Sequence, residues 1–84
     1  MDYTTLTPRA EQELRDYLDR AAKHHAADDF TSEVITRGAA LGMLSLWEGL
    51  VAALDGSLEP HFLADRTRLS ALIHSEAAAP DTQP

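Results

Sequence analysis

Between residues 38 and 54 the chain reads GAALGMLSLWEGLVAAL, apolar or small at every position except Glu48, and this run limits the possible folds more than any other feature. Gly38, Gly42, Ser45, Gly49, Ala52 and Gly56 recur at alternating spacings of four and three. At about 100° per residue, these six positions fall within roughly 40° of one line along an α-helix. Met43, Trp47, Leu50 and Leu54 fall on the opposite side. A glycine inside a helix costs about 1 kcal/mol relative to alanine. Glycines aligned on one face therefore point to a groove into which a neighbouring backbone packs closely.

The groove leaves two readings open. In one, helix 1 or helix 3 of the same chain fills it. In the other, a second copy packs against it, or against the bulky face carrying Trp47. The apolar stripes of the flanking helices look too narrow to cover both faces, which favours a two-fold homodimer. The expected contact residues are Gly38, Gly42, Ser45, Gly49, Trp47, Met43 and Leu50. Trp47, the only tryptophan, is by default a core residue because of its companions. It becomes an interface anchor only if its neighbours leave it exposed.

The remainder of the chain frames this helix. Thr7 followed by Pro8 resembles a helix start, giving a first helix over about 8–27. Its stripe is Ala10, Leu14, Tyr17, Leu18, Ala21 and His25, and its solvated face carries Glu11–Arg15, Asp16–Arg20 and Asp19–Lys23 at i,i+4. Thr31 then caps a second helix over about 32–55, with Phe30 stapled onto Ile35 and Gly56 ending it. Being apolar nearly all round, this helix should be buried on several sides. Ser57 or Glu59 caps a third helix over about 60–75, with Pro60 in its first turn and a stripe of Phe62, Leu69, Leu72 and Ile73. Leu63 falls off that stripe. Residues 77–84 (AAAPDTQP) read as a disordered tail. The expected fold is an all-α, three-helix bundle over 1–76 with helix 2 at its centre.

With 84 residues and no cysteine, the chain has no disulfide or thiolate metal site to reinforce it. Domains this small bury only about 60% of their unfolded surface, so association is a natural route to stability. The net charge of −7, without any Lys/Arg run, argues against nucleic acid. An acidic surface can orient a basic protein partner or simply keep the chain soluble. No secretory signal is visible, and the apolar run is shorter than the roughly 20 residues that span a bilayer. A cytoplasmic protein outside the membrane is therefore expected. Arginine usage with Lys23 as sole lysine, and abundant alanine, fit a GC-rich genome such as an actinobacterium or one of its phages.

Chemistry has little to stand on. The chain lacks a G-x-S-x-G, an H-E-x-x-H, a phosphate-binding glycine loop and framed carboxylate pairs, so no enzyme and no cofactor are expected. The only candidate metal ligands are His24 with Asp28, His25 with Asp29, and His61 with Asp65, each at i,i+4. They support an alternative reading as a metal-binding helical domain. Against it, His24 and His25 near a helix C-terminus complement its dipole, His25 fits a partly buried stripe position, and His74 reads as solvated. The leading expectation is a small acidic protein–protein interaction module, a regulator, adaptor or phage-encoded factor acting on a host protein. A structural or assembly component of a phage or larger complex is a third reading.

Overall fold

In the computed structural model the chain is all-α, and residues 2–54 and 60–78 are described, with side chains through 74. Helix α1 spans Tyr3–Ala26, α2 spans Phe30–Ala53 and α3 spans Phe62–Ala78, with no strand among the described residues. The predicted number and order of helices hold, but their ends move. Helix α1 begins a full turn before Thr7: Asp2 is its N-cap, accepting from the Thr5 N–H at 2.9 Å. Pro8 therefore lies inside the helix. Thr7 is not a cap but a buried core residue whose Oγ1 accepts the indole N–H of Trp47 at 3.0 Å.

Helix α1 ends through a Schellman turn. The N–H of Asp29 donates to the carbonyl of His24 at 2.9 Å, that of Asp28 to His25 at 3.1 Å, and Asp28 holds φ 60. Glycine is usual at that left-handed position; aspartate is among the few side chains that tolerate it. Asp29 then caps α2 directly, accepting from the Ser32 N–H at 3.2 Å, so Thr31 is not the cap. Phe30 is the first residue of α2, and its ring meets His25 edge-on at 5.9 Å. Pro60 lies in the turn ahead of α3, which starts at Phe62, and α3 continues past the expected residue 75 to Ala78. The expected roles of Ser57, Glu59 and Gly56, and the tail from residue 79 onward, lie outside the described residues.

Trp47 joins all three helices. It is 1% exposed, stacks on Phe62 of α3 at 5.5 Å, tilts against Tyr3 of α1 at 6.4 Å and donates to Thr7. Around it pack Leu6, Ala10, Leu14 and Leu18 of α1, Ala40, Leu44 and Val51 of α2, and Leu69 and Ile73 of α3. The α1 and α3 residues follow the predicted stripes, extended by the extra turn that brings in Leu6 and Thr7, whereas the buried line of α2 shares only Trp47 with the expected bulky face of Met43, Trp47, Leu50 and Leu54.

The face of α1 read as solvated also holds α3. Glu11 accepts from Arg15 at 2.8 Å and from Arg68 of α3, while Asp65 accepts from Tyr3 and from Arg68 at 3.2 Å. These hydrogen bonds, Arg68 first, hold the Glu11 carboxyl below its ordinary range. Burial pushes Asp65 up, but Tyr3 and Arg68 outweigh it. Of the three predicted pairs on α1, Asp19–Lys23 also forms, at 3.2 Å. Arg20 instead lies over the Tyr17 ring and Asp16 accepts from Gln12.

Helix α2 is not the centre of the bundle. Its buried residues are Ala40, Leu44, Trp47 and Val51, one face only. The molecule measures 41 × 26 × 15 Å between Cα extremes. Its thinnest dimension is that of two packed helices, whose Cα atoms lie about 2.3 Å from each axis and whose axes stand about 8–10 Å apart. Helices α1 and α3 lie against one side of α2, and among the described residues nothing lies on the other.

Candidate interaction surface

The side of α2 turned away from the core is the face the small residues mark. Gly38, Gly42, Ser45 and Gly49 are exposed along it, and a Cβ placed on Gly38, Gly42 or Gly49 would meet nothing within 4 Å. The reading in which α1 or α3 fills this groove is therefore overturned. Among the described residues these glycines face open space and provide no close packing.

Large apolar side chains flank them. Val34 is 70% exposed, Ile35 67%, Leu46 54% and Leu41 51%. Leu50 and Leu54 are partly exposed at the edge toward α1. Monomeric soluble proteins rarely expose contiguous apolar patches above a few hundred Å². Here the patch runs along most of a 24-residue helix.

The predicted contact residues thus separate into two groups. Gly38, Gly42, Ser45 and Gly49 lie on the open face. Trp47 is core, so the bulky face carrying it is not a free surface. Met43 is partly buried and packs on the core, and Leu50 lies between the two. Beside them, Leu6, Ala10, Met43, Leu46 and Leu50 line a shallow groove of about 290 Å³ between α1 and α2, with Trp47 at its floor. Val34, Ile35, Leu41 and Leu46 were not among the expected contacts. Their signal was present in the helical projection, where they flank the small-residue line with no charge among them.

The charges of α2 are turned to the core side or to α3. Glu33 and Arg37 pair at 3.0 Å and are mostly buried, and His25 reaches Glu33 at 2.9 Å across the α1–α2 turn. The His25 hydrogen bond, more than that of Arg37, keeps the Glu33 carboxyl below its usual value. Glu48 borders a groove with Arg66, Thr67, Ser70 and His74 of α3. The outward face is left uncharged.

The two histidine–aspartate pairs at the end of α1 do not assemble as expected, while His61 stays beside Asp65, whose N–H donates to the His61 carbonyl at 2.8 Å. Because α1 stops at Ala26, Asp28 and Asp29 lie beyond its end, and neither i,i+4 pair forms. His24 stands 3.9 Å from Asp29, and His25 pairs with Glu33 instead. His25 is exposed and is not a stripe residue. Asp65 is engaged by Tyr3 and Arg68. Among the described residues no three His, Asp or Glu side chains converge as a ligand set.

By length and composition α2 could also cross a membrane, although part of it is buried in the bundle. No protein-family model, curated protein or solved structure matches this chain, so the surface has to be read from its own geometry.

Proposed function

We propose that this chain is a small acidic, non-enzymatic protein–protein interaction module that acts as a homodimer through the open face of α2. One observation carries the proposal: an uncharged surface with Val34, Ile35, Leu41 and Leu46 exposed around three glycines that none of the described residues approaches. The helical penalty of those glycines brings no packing gain within one chain, so the compensation is sought between chains. The acidic surface elsewhere is free to orient a further protein partner by charge.

The same reading keeps the protein in the cytoplasm. The uncharged segment between Arg37 and Glu48 is ten residues. As a helix that is about 15 Å, half of the roughly 30 Å of hydrocarbon a span must cross.

Gly42→Leu and Gly49→Leu test the proposal. Each side chain enters open space in the single chain, so helical circular dichroism is retained or rises. In the pair it blocks close approach, so the mass by light scattering falls from dimer to monomer. Retention of the dimer by both folded variants would remove this face from the interface.

A further inference from the structure

We infer that the second copy docks on α2 antiparallel, with Gly38 opposite Gly49 and Gly42 opposite Ser45 of the other copy. The inference rests on the homodimer reading and adds orientation and register to it.

Area and charge name a second copy as the occupant. With the small seam residues, the exposed parts of Val34, Ile35, Leu41, Leu46 and Leu50 offer on the order of 700 Å² per copy, near the roughly 800 Å² per partner of a standard interface. The chain carries −7, so two copies repel except across a surface without charge, and the outward face of α2 is that surface. A basic partner would gain nothing from an uncharged face and would be drawn to the acidic sides of α1 and α3.

Orientation follows from the ends of the helix. Asp28, Asp29 and Glu33 crowd the start of α2. A parallel pair would set two such clusters side by side and align the two helix dipoles, whereas an antiparallel pair puts the clusters at opposite ends and opposes the dipoles. Register follows from volume. The outward line Ile35, Gly38, Gly42, Ser45, Gly49 and Ala52 has the alternating three–four spacing of a coiled-coil seam. Paired antiparallel about the midpoint between residues 43 and 44, its layers are Ile35 with Ala52, Gly38 with Gly49 and Gly42 with Ser45. The largest seam residue then meets a small one at each end and the smallest meet in the middle. In parallel register Ile35 would face its own copy beside Gly38, spreading the helices where the glycines would bring them together.

The test is a distance between two copies of one label. Because the chain has no cysteine, Thr31→Cys and, separately, Ala53→Cys take a single spin label each, at exposed positions. At 1.5 Å per residue, the antiparallel register places the Thr31 positions roughly 38 Å apart and the Ala53 positions roughly 28 Å apart. Dipolar spectroscopy on the full-length dimer should give distributions centred near those values. Distances below roughly 20 Å for both labels would mean a parallel pair, with axes about 8–10 Å apart, and would overturn the orientation while leaving the homodimer intact. A displacement of about 10 Å in opposite senses from the expected values would mean a heptad shift and overturn the register. A monomeric mass with no dipolar coupling would defeat the homodimer reading itself.

Discussion

Thr7→Val removes the only oxygen that accepts the indole N–H of Trp47 in the core. Thr7 is 5% exposed and Trp47 1%, so water cannot replace the lost partner without opening the α1–α2 interface. The bond is 3.0 Å long, an ordinary neutral hydrogen bond. A buried donor left without an acceptor costs about 1–3 kcal/mol. The added methyl offsets a few tenths at most, giving an expected loss of about 1.5–2 kcal/mol out of the roughly 4–13 kcal/mol available to a chain this size. Urea unfolding followed by helical circular dichroism, at one fixed protein concentration, measures it. In a Trp47→Phe background no donor remains, and the same substitution should cost under about 0.5 kcal/mol. Thr7→Asp distinguishes the buried acceptor from a helix cap: a cap prefers aspartate, whereas a buried position must desolvate its charge, so the variant should be the least stable of the series. A Thr7→Val loss under about 0.5 kcal/mol, or a neutral Thr7→Asp, would refute the placement of Thr7 inside α1.

Asp28→Gly should raise the melting temperature, because φ 60 at the Schellman position suits glycine better than aspartate; the gain is on the order of 0.5–1 kcal/mol, and Asp28→Ala should lower stability instead. The Glu11 carboxyl is held below its ordinary value by Arg68 and Arg15, so its contribution to stability is present above the unfolded carboxylate range and lost as pH falls through the lower folded value. Glu11→Gln should therefore be less stable than the parent at pH 7 by on the order of 1 kcal/mol, with the difference narrowing in denaturation curves taken toward pH 3.

Helix number and order were legible from the amphipathic spacing of α1, the long apolar run of α2 and the apolar positions of α3, and the core stripes of α1 and α3 were legible from their spacing. Leu14, Leu18, Leu69 and Ile73 lie in the core as their spacing implied. The start of α1 was not legible. Thr7–Pro8 is a good helix start locally, yet the preceding turn is stabilised by the Asp2 cap and by burial of Leu6 and Tyr3 against the core, a tertiary gain that local pairing of residues does not report. The pairs of His24 with Asp28 and His25 with Asp29 failed for a related reason: i,i+4 spacing brings side chains together only while the helix persists, and the Schellman turn ends α1 before Asp28. The expectation that α2 would be enclosed came from its hydrophobicity alone. Hydrophobicity tells how much surface a helix prefers to bury, whereas the number of neighbouring helices decides how much one chain can cover. With α1 and α3 on one side, the small-residue line that was legible in the sequence is the line left open.

The solution mass of the untagged protein, by light scattering after size exclusion across a wide concentration range, tests the open face of α2 as a subunit interface most directly. The predicted result is twice the 9.2 kDa chain mass, independent of concentration and lost in Gly42→Leu without loss of helix. A 9.2 kDa particle at every concentration would contradict it, leaving the exposed apolar face of α2 without a second copy to cover it.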